Sequence, residues 1–322
     1  MKQRGRLVRP FSRRHGLRHR GVSLRLTRAL VDFGAEESFA RATQSVREHY
    51  GLEVSLWRAR SATLAHARAC AAAVQAAPAH AAATLITQMD GSMIPTVKTK
   101  SGALDKRTTR QVYWREARLC LARAQGNCSP VYGVTLGGPQ VAGELWREVA
   151  LRAGLEPSTR VHGVGDGAPW IAEQFNAQFG PQGAYLLDFY HVSEYLAKAA
   201  PAGRPARGWL KRQQNHLLKS RPGPTLQSLS RRLERPSQKE QPVRRAHRYI
   251  TERRDQLNYA EAIASDLPIG SGEIESGHRH VIQRRLKLPG AWWKESNAEA
   301  MLGLRAQRAT GLWDSYWQSL SN

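Results

Sequence analysis

Acidic residues are what this sequence has least of. Its 322 residues hold 26 Asp and Glu against 49 Lys and Arg, a formal net charge of +23, and the pI is near 10.8. No acid precedes Asp32, whereas residues 1–31 carry ten Lys and Arg. Self-repulsion on that scale opposes a compact fold, so the excess points to a polyanionic partner, most often nucleic acid. Cysteine is scarce too. Cys70, Cys120 and Cys128 are scattered; they match neither a zinc-ribbon spacing nor a disulfide framework and suit a reducing compartment. No apolar run reaches the length of a membrane span, and the basic N-terminus lacks the apolar stretch of a secretory signal. Its arginine-rich, acid-poor composition is shared with organelle transit peptides, but it reads as an ordinary basic arm.

What is present organises into stretches. A hydrophobic content of 41% supports one large domain or two modest ones. Residues 1–22 read as a flexible basic arm that touches phosphates. Residues 23–80 read as helices: "SLRLTRALVDFG", "EESFARATQSVREHYG" and "VSLWRARSATLAHARACAAAV". Gly34 and Gly51 stand as stop signals and Ser55 as an N-cap. The short "GLE" turn fits a helix-turn-helix or an ordinary helical bundle equally. From residue 81 the period changes. "TLITQMDGSMIPTV" reads as two strands broken at "DGS", and "PVYGVTLG" as a third. Helix and strand then alternate through "QVAGELWREVALRAG", "TRVHGVG", "APWIAEQFNAQF", "GAYLL" and "YHVSEYLAKAA". The order β-β-β-α-β-α-β-α over 81–200 predicts a mixed α/β sheet flanked by helices. Residues 201–265 form a basic all-helical insertion, with fifteen Lys and Arg against four acids between 201 and 255. Residues 266–322 are C-terminal helices carrying Trp292, Trp293, Trp313 and Trp317, which either pack or stack on an unpaired base.

Within this basic background three aspartates close apolar segments: Asp90 after "LITQM", Asp166 after "VHGVG" and Asp188 after "AYLL". The reactive crevice of an open α/β sheet lies at the carboxyl ends of its strands, where such groups converge. Asp90 and Asp166 each precede a glycine, which is either a turn signal or room for a ligand to approach the backbone. Carboxylates without Cys or His suit Mg²⁺ or Mn²⁺, and a two-metal phosphodiester site needs about three of them. The third comes from "PIGSGEIESGHRHVIQRRLK" at 268–287. Glu273 and Glu275 lie two apart, about 200° around a helix, so at most one enters a shared site. A first-turn glutamate favoured by the helix dipole accounts for the other, and Glu273 fits that role.

Four motifs in this order, "MDG" at 89–91, "GDGAPWI" at 165–171, "LDFYHVSEYL" at 187–196 and "LPIGSGEIESGHRHVIQRRLK" at 267–287, resemble bacterial insertion-sequence transposases of the ISKra type. Those are DDE enzymes with an RNase H-like core, similar in plan to Mutator-like transposases. The resemblance runs from about Thr84 to Trp317; "WREARLC" at 114–120 looks like a further family segment without assigned chemistry. It implies that Asp90, Asp166 and Glu275 are catalytic and hold two Mg²⁺ or Mn²⁺ ions. Asp188 and His191 become a supporting D-x-x-H element, with Asp188 an alternative second carboxylate and His191 alternatively a core histidine bonded to it. The implied partners are double-stranded DNA, as terminal repeats and target, and a second copy in a homodimer or larger assembly. The implied location is the bacterial cytoplasm, at the nucleoid, and no membrane is involved. Arg284, Arg285 and Lys287 beside the glutamate helix, and Arg231, Arg232, Arg244 and Arg245 in the insertion, are the candidate phosphate contacts. A nuclease without strand transfer and a non-catalytic DNA-binding remnant or repressor are the rival readings. Family members often carry an N-terminal region with zinc-type cysteine pairs. Here no cysteine precedes Cys70, and the expectation is a short or truncated copy.

Overall fold

The computed structural model describes residues 2–3, 6–7, 17–18, 22–73, 80–99, 108–234 and 241–320. Its centre is a five-stranded sheet of β1 (Thr84–Lys98), β2 (Gln111–Ala124), β3 (Val131–Thr135), β4 (Arg160–Gly165) and β5 (Gly183–Leu187). Their order is β3-β2-β1-β4-β5. β1, β4 and β5 are parallel, and β2 runs antiparallel to both its neighbours. Side chains alternate across the sheet: Leu119 and Leu121 enter one core, Cys120 and Ala122 the other.

The expected break at "DGS" is absent. β1 runs straight through Asp90, Gly91 and Ser92, which pair with Leu119, Arg118 and Ala117. The second strand is instead β2, which contains "WREARLC". A ladder partner supplies the hydrogen bonds that a turn would otherwise satisfy, so Asp-Gly does not bend the chain here. Pro95 is tolerated because β4 pairs with β1 only as far as Gln88, which leaves the outer part of β1 open on that side. Trp293 fills the gap: Val97 N–H donates to its carbonyl at 2.8 Å, and its own N–H donates to Pro95 O at 3.3 Å.

One face of the sheet is covered by α4 (Pro139–Arg152) and α5 (Pro169–Phe179), around Trp146, Phe175 and Phe179. The other carries α1 (Leu24–Glu36), α2 (Phe39–Tyr50) and α3 (Leu56–Ala73). Ser23, Ser38 and Ser55 accept hydrogen bonds from Leu26 N, Arg41 N and Arg58 N at 3.1 to 3.3 Å, as N-caps do. Gly51 adopts the left-handed conformation, at φ +64°, and closes α2. Gly34 does not end α1, which continues to Glu36. It marks a close helix crossing instead, because a Cβ there would lie 2.1 Å from Thr63 Oγ1 on α3.

Beyond β5, α6 (Phe189–Lys198) packs with the insertion helices α7 (Pro205–Leu218), α8 (Pro222–Leu233), α9 (Gln241–Glu252) and α10 (Tyr259–Ala264) around a third core. The chain returns through α11 (Gly272–Gly277), a π-helical turn (His278–Gln283), and α12 (Arg284–Leu286). It ends in α13 (Glu295–Ala309) and α14 (Trp313–Ser319). Val31 and Leu64 share one core with Ile274, Met301 and Trp317, so the N-terminal helices fold against the C-terminal ones. Trp293, Trp313 and Trp317 are buried packing residues, and Trp292 is exposed. The basic arm lies mostly outside the described residues. Those that are described form two minimal ladders, Lys2–Gln3 with Arg6–Leu7 and Leu17–Arg18 with Val22–Ser23. Among the described residues no helix is long and apolar enough to cross a membrane.

Candidate active site

Three neighbouring parallel strands deliver three aspartates to one edge of the sheet. Asp90 lies two residues past the last β1–β4 pair, Gln88 with Val164. Asp166 and Asp188 directly follow β4 and β5. The segment before α11 is tied over this edge: His162 Nε2 bonds Pro268 O at 2.8 Å, Phe189 N–H donates to Ile269 O at 2.9 Å, and Ile274 N–H donates to Gln88 Oε1 at 2.9 Å. These ties fix where Glu275 stands.

Asp188 is buried and fully engaged. Tyr190 N–H and His191 N–H donate to Oδ1, and Ser271 N–H and its hydroxyl donate to Oδ2, at 2.5 to 3.0 Å. Burial alone would raise its carboxyl, but the contacts from His191 and Ser271 outweigh burial and bring it down to about 2. His191 Nδ1 lies 3.8 Å from Oδ2, and the carboxylate holds the imidazole up, to about 9. At 38% side-chain exposure His191 is not a core histidine. Asp166 is different. Its carboxylate accepts one hydrogen bond, from Ala168 N–H at 2.9 Å; burial pushes its carboxyl up, and the charge of Asp90 adds to that. Asp90 Oδ1 accepts from Gly91 N–H at 2.7 Å, while Oδ2 lies 3.1 Å from His278 Nε2, without the alignment of a hydrogen bond.

The two glutamates separate as the helical spacing requires. Glu273 pairs with Arg123 Nε at 2.7 Å. Glu275 is exposed, and among the described residues its carboxylate has no hydrogen-bond or ion-pair partner. A ligand atom of Glu275 and one each from Asp188 and His191 all lie within 4.8 Å of one another, the one such trio among the described residues. Asp90, Asp166 and Glu275 are therefore not the tightest grouping; Asp166 lies within the fields of both Asp90 and His191. Carboxylate oxygens with one imidazole and no thiol fit a hard divalent cation such as Mg²⁺ or Mn²⁺. Cys70 and Cys120 are buried elsewhere.

His278 was not singled out by the sequence, although it lies three residues after Glu275 and so on the same helical face. It is buried, with neither ring nitrogen hydrogen-bonded, at the start of the π-helical turn. Such turns often occur at functional sites. The insertion also reaches the site: Tyr249 O–H donates to Asp166 O, and Arg253 Nε donates to Gly167 O at 2.8 Å. Gly91 and Gly167 make room for the protein's own side chains rather than for a ligand. A Cβ at Gly91 would meet Glu116 at 2.2 Å, and one at Gly167, where φ is +79°, would meet Leu187 at 2.4 Å.

The candidate phosphate contacts divide by environment. Lys287, Arg231, Arg244 and Arg245 are exposed. Arg284 is exposed but pairs with Glu36 at 3.3 Å. Arg232 is spent within the insertion, donating to Ala199 O and lying over the Trp209 ring. Arg285 is buried, its Nε donating to Gly34 O at 3.0 Å, so it is no surface clamp. Arg245 lines a cavity of about 530 Å³ with Asp166, Tyr195, Arg248, Tyr249, Arg253 and Glu252, the last paired with Arg248 at 3.8 Å and with Arg253 at 3.4 Å.

Fold and site together define a mixed α/β protein with an acidic cluster at its strand ends and a basic cavity beside it. The model of the Uncharacterised protein family (UPF0236) matches residues 146–317, more than half of the chain, and the chain belongs to that family. The matched region contains Asp166, Asp188, His191 and Glu275 but not Asp90. No curated protein matches the chain.

Proposed function

We propose that this protein is a metal-dependent DNA transposase with an RNase H-like core. The observation that carries the proposal is the meeting of Asp90, Asp166 and Asp188 at adjacent strand ends, with Glu275 beside Asp188 and His191, in a chain of net charge +23. The strand order β3-β2-β1-β4-β5, with β2 reversed, supports the RNase H-like reading. Asp90, Asp166 and Glu275 are the residues to hold two Mg²⁺ or Mn²⁺ ions. Asp188 is a positioning residue, because its four hydrogen bonds occupy the roughly four lone-pair sites of a carboxylate. Asp166 accepts one hydrogen bond and keeps the rest of its capacity.

The bound ions would activate the attacking oxygen and stabilise the leaving one. The chain's own part is placement. Arg245 holds a backbone phosphate beside Asp166, and Arg248, which pairs with Glu252 at 3.8 Å, adds to the field there. Tyr249 and Arg253 keep the Asp166 turn fixed against the insertion. In the first displacement a water oxygen bonds to phosphorus, the P–O3′ bond breaks, and a 3′-OH and a 5′-phosphate remain. In the second, that 3′-OH attacks a target phosphodiester and displaces the target's own 3′ oxygen. The partner is double-stranded DNA, and the working unit is a homodimer or larger assembly at the bacterial nucleoid.

The test is incubation of the full chain with duplexes taken from either side of its coding sequence, in Mg²⁺ or Mn²⁺. The expected result is cut and joined products, abolished by chelator and by Asp90→Asn, Asp166→Asn or Glu275→Gln, and retained in Glu273→Gln. Cutting without joined products assigns a nuclease. Binding without cutting in either metal, unchanged in Asp90→Asn, makes the protein a DNA-binding remnant.

A further inference from the structure

A second cavity, of about 400 Å³, lies where the outer ends of β1 and β2 meet α2, α3 and the Trp292–Trp293 segment. It is lined by Arg60, Arg110, Arg285 and Lys294 and, among the described residues, by no acid. Arg60, Arg110 and Lys294 are exposed, and none has an ion-pair partner among the described residues. Arg285 is 2% exposed, and its guanidinium lies against the rings of Phe39, at 4.6 Å, and Trp293, at 4.8 Å. Among the described residues its Nη2 has no acceptor, and neither has the indole N–H of buried Trp293. Both orphan atoms are buried, so they add to the positive field of this cavity rather than meet a ligand directly; the exposed Arg60, Arg110 and Lys294 are the groups that meet an anion with several oxygens.

Trp292 completes the arrangement. It is 45% exposed, and the Arg110 guanidinium lies over its ring at 4.9 Å. A flat indole beside a cluster of cations is how sequence-tolerant nucleic-acid surfaces hold a base next to its phosphate. The cavity is also within reach of DNA engaged at the acidic cluster. From Asp90 to Val97 along β1 is seven residues, roughly 23 Å, which is about seven phosphates on one strand.

We propose that this cavity is a second nucleic-acid-binding site. The exposed Arg60, Arg110 and Lys294 gather the backbone phosphates over the buried Arg285, and an unpaired base stacks on Trp292. The site goes beyond the catalytic reading and can be tested without it, because binding is measured in chelator.

The experiment uses the full chain, a labelled duplex with a single-stranded overhang, and the matching blunt duplex, titrated over a range of salt. The combined variant Arg60→Ala, Arg110→Ala, Lys294→Ala changes only exposed side chains, as does Trp292→Ala, and circular dichroism checks that each is folded. In the combined variant the slope of log affinity against log salt should flatten by up to about 2.7, since each lost phosphate contact is worth about 0.9. Trp292→Ala should weaken binding of the overhang duplex roughly five- to hundred-fold and leave the blunt duplex nearly unchanged. Wild-type slope and affinity in both variants would overturn the proposal. So would stabilisation of the wild type, but not the combined variant, by inorganic phosphate with DNA binding unaltered, which would assign a small-anion site. Asp90→Asn, which fails to cut if the catalytic reading holds, should still bind in chelator and show the wild-type contribution of this cavity.

Discussion

Replacing Asp188 and Asp166 in turn by asparagine should move stability in opposite directions. The Asp188 carboxylate accepts four hydrogen bonds at 2% exposure. An asparagine keeps one acceptor oxygen and turns its amide N–H₂ toward donors on the other side, so about two buried donors lose their partner, each at about 1–3 kcal/mol. The electrostatic measure agrees in sign: a carboxyl lowered from 3.8 to about 2 favours the folded state by about 2 kcal/mol at pH 7. That contribution is complete above the unfolded-state value and is lost as pH falls from about 4 through about 2. The rise of His191 to about 9 is the same pair viewed from its partner and is not added. A loss of about 3 kcal/mol is therefore expected for Asp188→Asn. Asp166 is raised by burial and by Asp90, so the fold disfavours its charged form. Asparagine keeps an acceptor for Ala168 N–H and removes the repulsion, and stability should stay level or rise by up to about 1 kcal/mol. Urea unfolding at pH 7 in chelator measures both. If Asp188→Asn unfolds within about 0.5 kcal/mol of wild type, or if Asp166→Asn loses as much as Asp188→Asn, the division of these aspartates into brace and ligand is refuted.

Glu275→Gln should abolish metal-dependent cleavage without loss of stability; Glu273→Gln should cut normally and lose at most about 1 kcal/mol, because Arg123 loses its charged partner but keeps its bonds to Ala124 O and Asn127 O, which cleavage assays and urea titrations will show. Tyr249→Phe removes the donor to Asp166 O and should slow cutting roughly ten-fold at unchanged DNA affinity; an equal fall in affinity would place Tyr249 on the DNA instead. Gly34→Ala puts a Cβ 2.1 Å from Thr63 Oγ1 and should cost about 1–3 kcal/mol. Adding Thr63→Ala should recover part of that cost, and a strictly additive double variant would argue against the contact.

β4, β5 and the aspartates that follow them were legible in the sequence because short apolar runs bounded by glycine leave few alternatives to buried parallel strands. β2 was not. Its first half is mostly exposed and rich in charge, and Leu119 to Ala122 are all buried, so neither half shows the apolar–polar alternation that marks a strand. Asp90-Gly91 looked like a turn because the pairing that straightens it comes from residues about thirty positions away. Gly34 looked like a helix stop for a similar reason: whether a glycine ends a helix or admits another depends on a neighbour, here Thr63, that no local window contains. The separation of Glu273 from Glu275 followed from helical rotation alone. The π-helical turn at His278 and the contacts of Tyr249 and Arg253 with the Asp166 turn depend on segments meeting from far along the chain, and no periodicity announces them.

The charge distribution adds one more requirement. A chain of net charge +23 gathers several of its few carboxylates at one edge of the sheet, where Asp166 already feels the repulsion of Asp90. Under the proposed function, DNA drawn to the cavity beside Asp166 would bring phosphates toward those carboxylates, and like charges at close range resist the approach. A divalent cation between them turns that repulsion into attraction, so metal and DNA binding must strengthen one another by the same factor. Calcium, which in such sites commonly binds without supporting the reaction, should raise DNA affinity roughly five- to hundred-fold, and DNA should raise calcium affinity equally, both readable by titration calorimetry. In Glu275→Gln both effects should shrink together. Tight binding of DNA to the wild type that is indifferent to the cation would mean that the phosphates never come near the acidic edge, and the catalytic assignment of Asp90, Asp166 and Glu275 would fall with it.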